Sequence, residues 1–195
     1  MGTMSTRGAT LEMLAAALRE TQAVADRTTP EDLGLPTPCQ DYDVRRLLEH
    51  IIGWQLVFAD CAAGRQPALV DGSPSYTASS DPAADLRAAS AALVENLRHR
   101  SDPVIALPYR GSTRVQLLVD ELLAETVIHT WDLATAIGAT VQFDDRTVAA
   151  AHTGLSELLA ESLAEMGFRR PTQPLVAGNE FQRLLLRSGR RPAHG

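Results

Sequence analysis

Three side chains with metal-binding chemistry, His50, Glu125 and His129, occupy helical positions whose neighbours on the same face are apolar. Glu125 and His129 are four residues apart, so they lie one turn apart on one face of a helix. A buried carboxylate needs a compensating partner, because moving a charge out of water is costly. Two imidazoles and one carboxylate form a known zinc ligand set that leaves a fourth position open. The pattern therefore predicts a zinc site with a catalytic function. The apolar face around His50 consists of Leu47, Trp54, Val57 and Cys61, and that around the other two residues includes Leu118, Leu122 and Ala136.

Simpler interpretations exist for each residue alone. A single histidine in an apolar face is commonly a hydrogen-bonded core residue. Glu125 and His129 could also form an ordinary surface pair, which stabilises a helix by only about 0.2–0.5 kcal/mol. The coincidence of all three residues on inward faces favours the metal site.

Two further residues are candidates for catalysis. Asp132 follows His129 by three residues on the same face, where it could orient the imidazole through its second ring nitrogen or accept a proton. Alternatively, Asp132 only anchors the end of the helix. Tyr42 offers a hydroxyl group at the edge of the predicted pocket. Cys39, in the preceding loop, could equally pack or react.

Trp54 and Arg45 are candidates for binding a cofactor or substrate. Trp54 shares the helical face of His50, so it is expected to form part of the pocket wall. Arg45 and Arg46 lie at the start of the same helix, where positive charges oppose the helix dipole. We interpret one of the two, with Arg45 as the candidate, as placed to bind a carboxylate, either of this protein or of a ligand.

The elements that would position these residues are mostly helices. Apolar periodicity and capping signals predict helices at about 8–26, 43–63, 82–100, 113–137, 144–166 and 179–187. Asp43 is the expected N-cap of the second helix and Gly138 the C′ residue of the fourth. Residues 64–80 read as a long crossover loop, 104–109 as a short extended segment, and Gly111-Ser112 as a turn. Residues 1–6 and the tail 187–195, which includes His194, are expected to be frayed.

Composition limits the function classes. The chain has 195 residues, a net charge of −6 and two cysteines, Cys39 and Cys61. This length suits one domain, 1–195, with a core at about 8–166 and a C-terminal extension at 167–195. The acidic balance disfavours nucleic acid and anionic membranes as partners and favours a small-molecule substrate. Without a secretory signal or long apolar run, we expect a cytoplasmic protein with reduced thiols. All 18 basic residues are arginine, which is typical of a high-GC, actinobacterial genome.

Two segments carry a family resemblance: residues 37–50, TPCQDYDVRRLLEH, and residues 125–134, ETVIHTWDLA. They resemble the N-terminal domain of mycothiol-dependent maleylpyruvate isomerases, within the DinB-like metalloenzyme superfamily. The resemblance implies an all-α, DinB-like four-helix bundle with long crossover connections, here followed by a short C-terminal helix. It also implies a divalent metal ion, often zinc, held by His50, Glu125 and His129, and the use of a low-molecular-weight thiol such as mycothiol.

The sequence departs from that family in two places. Tyr42 stands where tryptophan is usual, and the residues after Met166 leave no room for the additional C-terminal domain of the isomerases. The resemblance therefore implies thiol-dependent isomerisation or S-transfer on a small electrophile, with the substrate left open. Two alternatives are metal-dependent hydrolysis of an amide-type substrate and a non-catalytic bundle that binds a metal or ligand. Such bundles often pair through apolar faces, so a homodimer is a further expectation.

Overall fold

Four helices form a closed bundle in the computed structural model of the protein, which describes residues 6–160 and 178–192. Helix α1 contacts α3 and α4, and α2 also contacts both, so each helix has two neighbours in the bundle. The architecture confirms the predicted all-α fold. The four helices are α1 (Thr6–Ala25), α2 (Val44–Ala62), α3 (Pro82–His99) and α4 (Val115–Ala136).

Two further helices pack outside the bundle. Helix α5 (Asp145–Ala160) packs against α4, and the short α6 (Glu180–Arg187) packs against α5. They correspond to the predicted helices at 144–166 and 179–187. Residues 161–166 of the longer prediction lie outside the described residues.

Local capping signals explain where several helices begin and end. The Asp43 carboxylate accepts a hydrogen bond from the backbone N–H of Arg46 at 2.8 Å, which caps α2. Asp81 caps α3 in the same way, and Pro82 occupies the first helical turn, where its missing N–H has no cost. Gly138 follows α4 with φ +67°, in the left-handed region that glycine tolerates. The predicted caps at Asp43 and Gly138 are confirmed.

The crossover between α2 and α3 contains a small hairpin that we expected to be loop. Strand β1 (Leu69–Val70) pairs antiparallel with β2 (Ser73–Pro74). Asp71 and Gly72 form the turn with φ of +49° and +80°. Two consecutive positive φ values are typical of a type I′ hairpin turn, for which Asp-Gly is a favoured sequence.

A second hairpin lies between α3 and α4. The expected extended segment forms strand β3 (Val104–Leu107), which pairs antiparallel with β4 (Gly111–Arg114). The prediction of a turn at Gly111-Ser112 was wrong, because both residues pair with β3 and delay the start of α4 to Val115. The actual turn carries Tyr109 and Arg110 towards the bundle.

Apolar side chains fill the interior in two clusters. The larger joins α1–α5 with β3 and α6, and the smaller joins α1–α4 with the loop before α2. In the described part of the chain, no helix is long and apolar enough to cross a membrane. Fully buried leucine and isoleucine residues include Leu14, Leu93, Leu118 and Leu123 in the larger cluster and Leu47, Leu48, Ile52 and Leu86 in the smaller.

The C-terminal tail is a correction to the sequence-based expectation. We expected residues 187–195 to be frayed, yet Ser188 and Arg190 are buried, at 1% and 3% exposure. The reason is tertiary, since Arg190 forms an ion pair with Asp132 inside the bundle. Residues 1–5 and 193–195, with His194, lie outside the described residues.

The contact between α4 and α5 depends on a glycine, which gives a first test. A Cβ atom at Gly154 would overlap the backbone carbonyl oxygen of Asp120. We expect Gly154→Ala to lower the free energy of unfolding by about 1–3 kcal/mol through overpacking. The steric cost of the new Cβ atom would outweigh the stabilisation of about 1 kcal/mol that alanine has over glycine in a helix. Urea denaturation followed by circular dichroism measures the change.

Gly34→Ala is the matched control, because a Cβ atom there meets nothing within 4 Å. It should change stability by less than about 0.5 kcal/mol. An increase in stability for Gly154→Ala would mean that α5 is not seated this closely on α4.

Candidate metal centre

A pocket between α1, α2 and α4 brings the three predicted ligands together. It opens to solvent. His50, Glu125 and His129 all line it, and so does Trp54. The helical phase inferred from the sequence therefore directs these four side chains to one place. The remaining lining residues are Thr21, Ile51, Gln55, Leu122 and Thr126.

The two histidines face each other edge to face. Their ring centroids lie 5.2 Å apart and their planes meet at 75°. Burial lowers the pKa of His50 to about 3, and the nearby His129 and Arg190 act in the same direction. Burial also lowers the pKa of His129, although Asp132 opposes the change. Both imidazoles are therefore neutral at neutral pH, which is the form that binds a metal ion.

Glu125 is a partly buried carboxylate in the pocket wall. Burial raises its pKa to about 7, and the negative charge of Glu121, one turn earlier, acts in the same direction. The positive charges of Arg190 and Arg110 oppose this shift only in part. Among residues 6–160 and 178–192, no side chain or backbone group forms a hydrogen bond or ion pair with this carboxylate. An ionised carboxylate in such surroundings is destabilising unless a cation compensates it. The donor set of Glu125 and two neutral imidazoles thus fits a divalent cation.

Asp132 connects His129 to the C-terminal segment. Its Oδ2 atom lies 3.0 Å from Nδ1 of His129 and accepts a hydrogen bond of 2.8 Å from Nη2 of Arg190. The side chains of Asp132 and Arg190 are 0% and 1% exposed. Because Nδ1 faces Asp132, Nε2 is the nitrogen with which His129 would coordinate a metal ion.

Arg110 compensates the other buried glutamate of α4. Its guanidinium donates to Oε1 and Oε2 of Glu121 at 2.8 and 2.5 Å, a two-pronged pairing in which the carboxylate is 4% exposed. Such charge-assisted pairs are stronger than hydrogen bonds between neutral groups. The turn between β3 and β4 therefore supplies a positive charge one helical turn from Glu125.

Aromatic rings cover the side of the pocket next to α2. Trp54 stacks on Phe58, with centroids 5.5 Å apart and planes at 24°, and Tyr109 contacts Trp54 edge to face at 5.6 Å. Burial raises the pKa of Tyr109, so its hydroxyl group keeps its proton. Of these three aromatic residues, Trp54 is the one that lines the pocket.

The two remaining candidate residues lie outside the pocket lining. Tyr42 is adjacent to His50, with ring centroids 5.5 Å apart, and Arg46 packs over its other side at 5.2 Å from the ring centroid. Burial raises the pKa of Tyr42, which keeps its hydroxyl group protonated. Arg45 is exposed on α2 and does not line the pocket. The structure thus places Tyr42 beside a candidate ligand and Arg45 away from it.

A second donor set shares His129. Three ligand atoms, one from each of Cys39, His129 and Asp132, all lie within 4.8 Å of one another. The ligand atoms of His50, Glu125 and His129 do not all lie that close together. This tighter set is the poorer metal site. Asp132 is already paired with the Arg190 guanidinium, which leaves its carboxylate less able to bind a cation. Burial raises the pKa of Cys39 to about 11, so its thiol is protonated while no cation is bound. Cys39 instead packs in the smaller apolar cluster.

Comparisons with known proteins give a family match. Residues 14–134 match the family model described as the mycothiol maleylpyruvate isomerase N-terminal domain. The chain belongs to this family. Two uncharacterized proteins of Mycobacterium tuberculosis, from strains CDC 1551 / Oshkosh and ATCC 25618 / H37Rv, are each 28% identical to it over 151 residues, covering 75% of this chain and 74% of theirs. No solved structure gives a significant match.

The family match contains the three candidate ligands and Asp132 but ends before Arg190. Sequence reasoning missed Arg190, although Gly189 directly after a predicted helix is a signal for a defined turn rather than a frayed end. It also missed Arg110, which no local pattern distinguishes from the other arginines. Both arginines were found only through the carboxylates with which they pair.

The unequal surroundings of the two glutamates on α4 give a second test. In metal-free protein at pH 8, we expect Glu125→Gln to raise the free energy of unfolding by about 1 kcal/mol, because an amide is cheaper to bury than an uncompensated carboxylate. Glu121→Gln should lower it by about 2–4 kcal/mol, because it leaves the Arg110 guanidinium buried with a weaker partner. Urea denaturation in the presence of a chelator measures both.

The two variants are matched controls, since each replaces a glutamate of the same helix with the same amide. Equal losses of stability would contradict the difference in compensation between the two carboxylates.

Proposed function

We propose that this protein is a divalent-metal-dependent enzyme, with zinc the expected ion, that uses a low-molecular-weight thiol of the mycothiol type. The reaction would be an isomerisation or an S-transfer on a small electrophilic substrate. One observation carries the proposal: Glu125, a carboxylate with no hydrogen bond or ion pair among the described residues, lines the same pocket as two neutral imidazoles. The description of the family to which the chain belongs names mycothiol, which supports the choice of thiol.

The residues fit the implied metal ion by charge and by chemistry. Two neutral imidazoles and one carboxylate would leave a divalent cation with a net positive charge and an open coordination position. When bound, such an ion acts as a Lewis acid that lowers the pKa of a thiol or water in that position. His50 and His129 would bind through ring nitrogens, and Glu125 through its carboxylate.

The surrounding side chains have distinct proposed roles. Asp132 is held by Arg190, so it suits the orientation of His129 better than the acceptance of a proton. Tyr42 keeps its proton beside His50, and we propose its hydroxyl group as a proton donor at the edge of the pocket rather than in its lining. Trp54, which lines the pocket and contacts Tyr109 behind it, is the apolar surface against which a substrate would pack. Arg45 is proposed only as a peripheral contact for the polar parts of a thiol cofactor.

Metal content is the first test of this function. The purified, untagged protein should contain about one equivalent of zinc or a similar ion, as expected for a single three-ligand site. His129→Ala, His50→Ala and Glu125→Gln should each lose it, because each removes a ligand. Elemental mass spectrometry of protein prepared without chelators measures the metal.

His99→Ala is the control, because His99 is exposed and pairs only with Glu95 among the described residues. It should keep its metal. Normal metal content in the three ligand variants would overturn the proposed site.

Thiol dependence is the second test. Zinc-loaded protein should convert a cis-unsaturated oxo acid, such as maleylpyruvate, or an electrophilic S-acceptor only when mycothiol is present. Omission of the thiol should reduce turnover at least about 100-fold, since the thiol supplies the nucleophile. Chromatography of substrate and product measures the rate, with His129→Ala as the inactive control. Turnover of an amide substrate without thiol would instead indicate a hydrolase.

A further inference from the structure

The end of α6 turns Arg190 into the bundle by a defined backbone motif. Gly189 has φ +85°, its N–H donates to the carbonyl oxygen of Leu186 at 3.1 Å, and the N–H of Arg190 donates to that of Leu185 at 2.9 Å. This pair of bonds is the Schellman motif, which satisfies the last carbonyl groups of a helix and reverses the chain. The next side chain is therefore directed inward rather than along the helix axis.

Helix α6 is itself fixed on α5. The side chains of Leu184 and Leu185 are buried, at 0% and 1% exposure. Arg187 bonds to Nδ1 of His152 and to the hydroxyl group of Ser156, both at 2.8 Å. Apolar burial and hydrogen bonds together set the position from which Arg190 reaches α4.

We propose that Arg190 is a positioning residue for the metal site: it fixes the Asp132 carboxylate, which in turn holds the His129 imidazole. The guanidinium contacts both carboxylate oxygens, with Nε at 3.2 Å from each and Nη2 at 2.8 Å from Oδ2. Oδ2 is also the atom that lies 3.0 Å from Nδ1 of His129. The inference rests on the proposed function, because it assigns Arg190 to the same metal site.

The choice of arginine follows from charge. The Asp132 side chain is 0% exposed, and the Arg190 guanidinium, itself 1% exposed, is the cation that pairs with it. An ionised Asp132 accepts a hydrogen bond from Nδ1–H and so fixes the tautomer in which Nε2 carries the lone pair. The negative charge of Asp132 also offsets part of the positive charge of Arg190, which would otherwise repel a metal ion in the neighbouring pocket more strongly.

The geometry of arginine matters in addition to its charge. The planar guanidinium donates to both oxygens of one carboxylate and to the carbonyl oxygen of Ser188 at 2.9 Å. Lysine carries one compact ammonium group and cannot reproduce this fork. Arg190→Lys should therefore preserve the charge but hold Asp132 less firmly.

The experiment compares zinc affinity and cobalt spectra in Arg190→Gln, Arg190→Lys and Asp132→Asn. Competition with a chromophoric chelator gives the zinc Kd, and the visible absorption of the cobalt-substituted protein reports the coordination geometry. We expect Arg190→Gln to weaken zinc binding about 10- to 100-fold and to shift the cobalt spectrum, as for loss of other groups that orient a metal ligand. Arg190→Lys should recover part of the affinity.

Arg183→Gln is the matched control, since Arg183 lies on α6 but pairs with the exposed Glu180. Its zinc Kd and cobalt spectrum should equal those of the wild type. The double variant Asp132→Asn/Arg190→Gln should be no weaker in zinc binding than the weaker single variant, because both changes act through one chain of contacts. Circular dichroism verifies that each variant is folded, and Arg190→Lys provides the comparison if Arg190→Gln is not.

The results separate the inference from the proposed function. If the wild type binds no zinc, the proposed function fails. If the wild type binds zinc and a folded Arg190→Gln binds it with the same Kd and cobalt spectrum, the positioning role is overturned and the proposed function stands. Multiplicative effects in the double variant would also overturn the positioning role, because they would show that Arg190 acts independently of Asp132.

Discussion

Helix α4 carries four carboxylates, and the compensation of three of them, those of Glu121, Glu125 and Asp132, is the constraint on which the rest of the structure depends. Glu121 pairs with Arg110, and Asp132 pairs with Arg190 and His129. Glu125, which lies between them in the sequence, has no such partner among the described residues. Its charge and its place in the pocket are what make it a candidate metal ligand.

The segments outside the four-helix bundle acquire a role from this constraint. The turn between β3 and β4 brings Arg110 to Glu121, and the Schellman turn after α6 brings Arg190 to Asp132. A buried ion pair adds little net stability, because desolvation offsets the attraction, but removing one partner is strongly destabilising. The two ion pairs thus hold the hairpin and the C-terminal segment in position, because separating either pair would leave a buried charge without its partner. The stabilising burial comes from the clusters of leucine and isoleucine side chains.

The same burial tunes the chemistry of the pocket. Surroundings of low polarity keep both histidines neutral and make the Glu125 carboxylate costly when ionised. Charges that would be screened in water act strongly in such a site. The pocket therefore combines an apolar wall at Trp54 with a few polar groups near its candidate ligands, an arrangement typical of small-molecule sites.

The sequence by itself determined the helices and the convergence of His50, Glu125 and His129, because helical phase and caps such as Asp43 and Gly138 are local properties. The hairpin at Asp71-Gly72 also had a local signal, although it lay within a segment rich in loop residues. Only the tertiary structure decided that Arg190 is buried while Arg45 is exposed. The reason is physical: an ion pair between residues 58 positions apart depends on how α6 and α4 pack, and nothing in the residues next to either partner records that packing.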